Sequence, residues 1–451
     1  MNLLYRNFYH AIAWSGIESF SYHALLLFHQ IMLFHAVGST AYGIVGTVFS
    51  FIYLSIALFN FGLDDSIAPF FSLSMSSKTN FRRLLLPQLI PELIILIAYS
   101  ISIIIFGPYL IGSLRANIAQ PSIIYIIGGI IVAEGIKKTT KMLLSLTFAY
   151  KQTAIVEVTT ILLYIFMVWT AYWFAVPLTL IVLLAPMLFT SLTGSLIFAY
   201  KVYHLYKNLP ESSPAPIATA VPWRIMKNRF FSYLTQLNHQ FFSGNFLVPL
   251  FAVQFGFSQA GVLKLISHVV HTISTILNKT FGPAAFALLA HHKDMSLAQK
   301  RKAFYLATGY LHHALCFIFI FFFMNYKKLF LYSPHADLIT PYWSLIILFI
   351  VIHFSEHFFM MYEKFYITEE KVEYIFVLNC FTTFLMYLIL KQKVILAPST
   401  ILMSIVLIRL ISFIIIHTVS FYLWELVPNF TIKPLYLFAS GIFSALIFML
   451  V

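Results

Sequence analysis

The sequence predicts an all-α polytopic membrane protein with about twelve core transmembrane helices in two six-helix lobes. Three observations predict it. Hydrophobic residues make up 61% of the 451 residues and charged residues only 10%, with a mean hydropathy of +0.89. An ordinary soluble domain is about 45–50% apolar and about 25% charged, so this chain has too few polar side chains to cover a water-facing surface. The apolar residues fall in runs of spanning length, about 20 residues each. A long polar interruption then divides these runs at mid-chain. A soluble enzyme and a disordered chain are excluded, and so is a nucleic-acid partner, despite the sequence pI of 9.5.

Candidate spans lie near 12–35, 41–63, 85–111, 121–146, 153–174, 178–200, 229–250, 257–279, 303–324, 341–362, 372–390 and 398–421. A further apolar stretch, 433–451, is also long enough to cross. Runs such as Ile123–Val132 and Phe317–Met324 are apolar on every side, whereas barrel strands would alternate. The first run carries Glu18 and His23 with no small-residue cleavage site after it, so it reads as a span rather than a signal peptide. Cys316 and Cys380 both lie in apolar runs, which excludes a disulfide framework and predicts two small buried hydrophobes.

The basic residues set the expected sidedness. With the N-terminus in the cytoplasm, the inner segments hold Arg6, Lys78, Arg82, Arg83, Lys151, Lys201, Lys207, Arg224, Lys227, Lys300, Arg301 and several others. The outer segments hold Arg115, Lys327, Lys328, Lys391 and Lys393. That bias favours the N-in orientation, so the formal charge of +13 reports topology. The expected domains are an N-terminal lobe at 1–200, a cytoplasmic linker at 201–228 and a C-terminal lobe at 229–421. The linker contains the Pro/Ser-rich run Leu209–Pro216.

An internal repeat agrees with this division. Gly38 and Gly43 precede the second span, and Gly256 and Gly261 precede the eighth, 218 residues later. At the same offset Arg83 meets Arg301 and Arg82 meets Lys300, and Pro69 and Pro283 lie near the inner ends of the two spans. Six spans is an even number, so the halves are parallel repeats about an axis along the membrane normal.

The segment His35-Ala36-Val37-Gly38-Ser39-Thr40-Ala41-Tyr42-Gly43, followed by a span and then Phe59-Asn60-Phe61-Gly62-Leu63, resembles the polysaccharide flippases. These include the O-antigen transporters of the multidrug/oligosaccharidyl-lipid/polysaccharide exporter superfamily. The opening Arg6-Asn7 and Ala13-Trp14-Ser15-Gly16 are of the same type. The likeness covers about the first 85 residues and, more faintly, 226–302. Family members often place a basic residue soon after the Gly-Leu, where this chain has Asp64 and Asp65.

The resemblance implies two lobes around a central cavity, in a multi-pass protein of the bacterial inner membrane. It further implies alternating-access flipping of an undecaprenyl-diphosphate-linked oligosaccharide from inner to outer leaflet, for surface polysaccharide of the O-antigen or lipopolysaccharide kind. Expected partners are that lipid-linked oligosaccharide, membrane lipids, a coupling ion (H⁺ or Na⁺) and polysaccharide polymerase or assembly proteins. Two alternatives stand beside it: a cation-coupled multidrug exporter of the same superfamily, and a membrane-embedded glycan polymerase or ligase. The short outer loops, the longest near 325–340, speak against the last. No phosphate loop, nucleophile elbow or cofactor motif is present in the sequence, so neither an enzyme nor a cofactor is expected.

Ionisable residues inside a membrane are costly and normally face a cavity or a partner. Glu134, Lys137, Lys138 and Lys141 share one helical face, and Glu134 and Lys138 have the spacing of an i,i+4 pair. Lys137 and Lys138 read as diphosphate ligands or as lysines snorkelling to the inner interface. In the C-terminal half Lys264, His268 and His271 share a face. Lys264 and Arg409 are candidate substrate contacts, while His268 and His271 read as proton carriers or packing histidines. Glu18, Glu134 and Glu356 are candidates for ion coupling or for polar cavity lining. His353, Glu356 and His357 have the H-x-x-E-H form of a zinc site, but a proton relay or polar helix contact is the favoured reading, and no metal is expected.

Overall fold

The computed structural model describes residues 2–63, 67, 70–112, 121–147, 149–211, 220–241, 243–291, 296–305, 317–321, 324–325, 343–391 and 398–424. These residues are helical apart from short connections. The principal helices are α1 (Asn2–Phe59), α2 (Leu86–Gly112), α3 (Pro121–Leu146), α4 (Tyr150–Trp173), α5 (Leu180–Lys207), α6 (Ala220–Phe241), α7 (Gly244–Phe255), α8 (Phe257–His291), α9 (Trp343–Thr368), α10 (Val372–Lys391) and α11 (Pro398–Trp424). Five segments among the described residues are long and apolar enough to cross a membrane by length and composition alone.

Helix α1 holds the first two expected spans, joined by a kink at Gly38 (φ 77°, ψ 169°). A positive φ of this kind favours glycine because a Cβ would clash with the backbone. The two arms are tied together by the buried Tyr42, whose hydroxyl donates to Gln30 Oε1 at 2.8 Å. The expected span at 229–250 is interrupted. Ser243 takes an extended conformation between α6 and α7, and Gly244 starts the new helix. Helix α7 ends at Gly256 (φ 92°, ψ 165°), which is the conformation of Gly38 repeated 218 residues later.

The chain divides into two compact units, one of residues Met1–Ser19 with Val262–Val451 and one of residues Phe20–Gly261. In the second unit α3 packs against α2 and α5, and α4 packs against α5. Small residues allow these approaches: a Cβ on Gly135 would stand 2.3 Å from Leu96 Cδ2, and one on Gly128 would stand 2.7 Å from Ser100 Oγ. At one end of this unit a π-helical turn (Phe81–Leu85) leads into α2. Here the loop after α5 is clamped to the helix start. The Lys78 amide donates to the Pro210 carbonyl at 2.8 Å, Thr79 Oγ1 donates to the Glu211 carbonyl at 2.8 Å, and Lys78 Nζ pairs with Glu211 Oε1 at 2.6 Å. The Lys78 ammonium, hydrogen-bonded to it, holds the exposed Glu211 carboxyl below the usual carboxylate range.

In the first unit the start of α1 packs on α8. Ser15 Oγ donates to the Lys279 carbonyl and Ser19 Oγ to the Ile276 carbonyl, and Gly16 lies against Thr280. Helix α11 packs on α9 and α10, with Tyr366 Oη and Ser420 Oγ in hydrogen-bond contact at 3.1 Å. Cys380 is a free cysteine on an exposed face of α10, not the buried residue expected; on an apolar helix of this kind an exposed face suits lipid. Asp64, Asp65, residues 212–219, Cys316 and the stretch 433–451 lie outside the described residues.

Candidate functional site

The apolar helices of the second unit enclose a charged network. Lys137 on α3 is 7% exposed. Its Nζ stands 2.9 Å from Glu157 Oε2 on α4 and 3.7 Å from Glu134 Oε1 one turn back on α3. Lys141 Nζ is 3.0 Å from the other Glu157 oxygen. Ser191 Oγ on α5 donates to Glu134 Oε1 at 2.5 Å. Gly194 on α5 makes room for the lysine stem, since a Cβ there would stand 3.1 Å from Lys137 Cε. Three helices thus hold two carboxylates and two ammonium groups in mutual contact. The arrangement satisfies charges that would otherwise be strongly disfavoured in an apolar interior.

Of the residues read from the sequence, the structure brings Glu134, Lys137 and Lys141 together. Lys138 is half-buried on the next position of α3. Lys264 and His268 are half-buried on α8, and His271 is exposed there. Arg409 on α11 is 2% exposed, one of the largest fully buried side chains. Glu18 is half-buried on α1. Glu356 lies on α9, and its side chain is outside the described residues, as are those of His353 and His357. Glu18, Lys264, His268, His271, Glu356 and Arg409 belong to the first unit, whereas Glu134, Lys137 and Lys138 belong to the second. No group of His, Cys, Asp and Glu able to hold a metal is found among the described residues.

Sequence reasoning missed Glu157, which bonds both lysines. It also missed Glu92 on α2, which accepts from Thr139 Oγ1 at 3.0 Å and Asn60 Nδ2 at 3.4 Å and faces Arg229 on α6. Both are carboxylates within apolar runs, a signal that was legible on the same grounds that singled out Glu134.

The resemblance motif acquires structural roles here. Leu63 is fully buried, and Phe61 and Gly62 have positive φ (49° and 69°). A Cβ on Gly62 would stand 2.5 Å from the Tyr233 amide nitrogen and 2.6 Å from the Arg229 carbonyl oxygen on α6. Phe61 stacks on Tyr233 with ring centroids 4.8 Å apart. Gly43 approaches the start of α8 closely: its Cβ would stand 1.9 Å from the Phe257 carbonyl oxygen, and a Cβ on Gly261 would stand 2.1 Å from the Ser39 carbonyl oxygen.

No family model matches the chain, and no curated protein matches it. Solved structures do. A multidrug resistance MATE family transporter of the MOP superfamily, in an outward-facing conformation, is similar with a TM-score of 0.65 at 15% identity, covering 92% of this chain and 95% of that one. A eukaryotic MATE transporter is similar with a TM-score of 0.61 at 12% identity, covering 92% and 96%. A MOP superfamily transporter from Pyrococcus furiosus, described as having a binding pocket of reversed polarity that suggests a different function, is similar with a TM-score of 0.58 at 15% identity, covering 92% and 95%. The shared fold is all-helical, with about twelve transmembrane helices in two lobes.

Proposed function

We propose that this chain is an alternating-access transporter of the inner membrane, oriented with its N-terminus in the cytoplasm, that exports an organic solute in exchange for a coupling cation. The fold likeness to MATE transporters supports the transport reading. One observation carries the choice of cargo: Lys137, offered by the sequence as a diphosphate ligand, is already bonded to Glu157 and flanked by Glu134. A phosphate would have to displace a carboxylate from that ammonium in a low-dielectric interior. The same cluster suits an exporter, because Glu134, at 3.7 Å from Lys137 and bonded by the Ser191 hydroxyl, is the more loosely paired carboxylate and the one placed to exchange a proton or cation.

Flipping of a lipid-linked oligosaccharide is the second reading. The Gly38–Gly43 and Phe61–Leu63 motifs favour it, with Lys138, Lys264 and Arg409 as the remaining basic contacts.

The experiment pairs two hosts. In a drug-sensitive strain stripped of its own exporters, the chain is expected to lower accumulation of a cationic dye, and a protonophore or removal of Na⁺ should abolish the effect. Glu134→Gln should abolish it as well. In a flippase-null strain it is expected to leave surface polysaccharide absent. Restoration of polysaccharide without dye export would replace the first reading with the second. The double variant Lys137→Ala with Lys138→Ala, or Lys264→Ala alone, would then be expected to lose that restoration.

A further inference from the structure

In the first unit, helices α9, α10 and α11 leave an apolar cavity of about 570 Å³, lined by Tyr366, Tyr374, Val377, Leu378, Phe381 and Ile415 among others. Its rim is accessible: Val377 is 67% exposed, Phe381 45% and Tyr374 44%. The Tyr366 hydroxyl is already engaged by Ser420 Oγ at 3.1 Å. From Tyr374 to Phe381 the cavity follows α10 over a rise of about 10 Å. Lys371 marks one end of it. Glu370 takes a positive φ of 56°, where the chain turns from α9 into α10. The Lys371 amide donates to the Tyr366 carbonyl at 2.9 Å, and the Tyr374 amide donates to the Lys371 carbonyl at 3.2 Å. Lys371 is thus tied through its backbone to two residues of the lining, and it is exposed. Of the carboxylates beside it, Glu369 is paired with Lys300 at 2.7 Å, and Glu370 and Glu373 are half-buried.

We infer that this cavity is a binding site for one inner-leaflet phospholipid of the zwitterionic, ethanolamine kind, with an acyl chain along α10 and its phosphate at Lys371. The site is independent of the cargo. Water is a poor occupant, since a buried water needs about three polar partners and the lining presents almost none. A gap among these side chains would forfeit their dispersion contacts on one side. A hydrocarbon chain restores them, and hydrocarbon is the medium around the exposed faces of α10 and α11, both apolar helices. The depth agrees: a rise of about 10 Å along α10 fits within one leaflet, half of a hydrocarbon core of about 30 Å. The turn between α9 and α10 lies on the cytoplasmic side in the N-in orientation, so that leaflet is the inner one. The polar end selects the headgroup. The exposed Lys371 ammonium attracts a phosphate, while Glu370 and Glu373 beside it disfavour a head that brings further negative charge. A zwitterionic head offers its phosphate to Lys371 and its amine to the acidic side. Such a lipid, binding the folded form alone, stabilises it by mass action.

The test uses the purified full chain in detergent and phosphatidylethanolamine carrying a diazirine within its acyl chain. Photo-cross-links are expected at Val377, Phe381 and Ile415. They should saturate at one lipid per chain and be competed by unlabelled phosphatidylethanolamine. Ile101 and Ile105, 50% and 56% exposed on α2, report the general lipid surroundings, where labelling should rise without saturating. Ile415→Trp fills the cavity and should cut labelling at Val377 and Phe381 about tenfold, since the added volume has no other room, with the α2 labelling unchanged. Lys371→Glu alters an exposed side chain and so keeps the test alive if Ile415→Trp fails to fold. It should raise the lipid concentration for half-saturation about fivefold, the scale of an exposed ion pair, and Lys371→Arg should keep the parent value. Cavity labelling that does not saturate, or that is indifferent to Ile415→Trp and Lys371→Glu, would overturn the site. Stronger competition by undecaprenyl phosphate would give the cavity to an isoprenoid chain instead of a phospholipid, and equal competition by phosphatidylglycerol would strike out the ethanolamine head.

Discussion

Gly43 and Gly261 face one another across a close backbone crossing. A Cβ on Gly43 would meet the Phe257 carbonyl oxygen at 1.9 Å and the Gly261 nitrogen at 3.0 Å, while one on Gly261 would meet the Ser39 carbonyl oxygen at 2.1 Å and the Gly43 nitrogen at 3.1 Å. Residues 39 and 257, like 43 and 261, are 218 positions apart, so the contact maps onto itself under the repeat. Ser39 Oγ and Ser258 Oγ add a hydrogen bond at 3.0 Å.

Gly43→Ala is therefore expected to force the two backbones apart, costing about 1–3 kcal/mol as overpacking does. Gly261→Ala should cost a similar amount. The double variant should cost less than the sum, because one separation relieves both clashes. Thermal unfolding in detergent measures all three. Gly16→Ala, whose Cβ would meet only the Thr280 methyl at 3.3 Å, should unfold near the parent temperature. Additive losses at Gly43 and Gly261 would contradict a shared contact.

The buried Lys137–Glu157 pair predicts a second non-additivity. Glu157→Gln alone leaves Lys137 its 3.7 Å contact to Glu134, and Lys137→Met alone leaves Glu157 its 3.0 Å contact to Lys141, so each should destabilise by less than the about 3–5 kcal/mol of a fully stranded buried charge. The double variant should recover much of that loss. A double variant as unstable as the worse single one would mean that Lys141 and Glu134 do not share the charge.

Glu211 predicts a pH effect on the loop clamp. Its carboxyl is held below the ordinary range by Lys78, so the folded form favours the carboxylate. The stabilisation is present above the ordinary carboxyl pKa of about 4.3 and is lost as pH falls through the depressed folded value. Exchange protection of the Lys78 amide, corrected for intrinsic rate, should hold from pH 8 to pH 5 and weaken in stronger acid. Glu211→Gln should lower protection near neutrality, leaving little further change on acidification.

The N-in orientation predicts one-sided access to the mid-chain linker. Ser212→Cys, on a background with both native cysteines replaced, should resist a membrane-impermeant maleimide applied to intact cells and react once the membrane is opened. Rapid labelling of intact cells would reverse the assignment of sides.

The helical class, the paired glycines and the two turns they make were legible in the sequence because each is a local property. A run of apolar residues is helical and spanning on its own account, and Gly38 and Gly256 stand ahead of such runs, where a turn can use the positive φ that glycine permits. The interruption at Ser243 was less visible, since the residues around it are as apolar as a continuous span. The charged site was half legible. The shared face of Glu134, Lys137 and Lys141 follows from helix periodicity. Their engagement by Glu157 and Ser191 depends on the rotation of α4 and α5 against α3, and no spacing within one helix encodes that. The same holds for Arg229, which reads as one more anchor of the positive-inside pattern until α1, α2 and α6 bring it to Phe61, Gln88 and Glu92.

The self-mapping contact at Gly43 and Gly261 has a consequence for ancestry. A surface that binds its own repeat-related image is the kind found in two-fold symmetric homodimers. A chain of half this length, carrying one Ser-x3-Gly crossing, would present both sides of the junction and pair with a second copy of itself. Fusion of two such copies would preserve the crossing while freeing each side to diverge. Gly43 and Gly261 had no such freedom, because the backbone of the opposing repeat stands where a side chain of either would go.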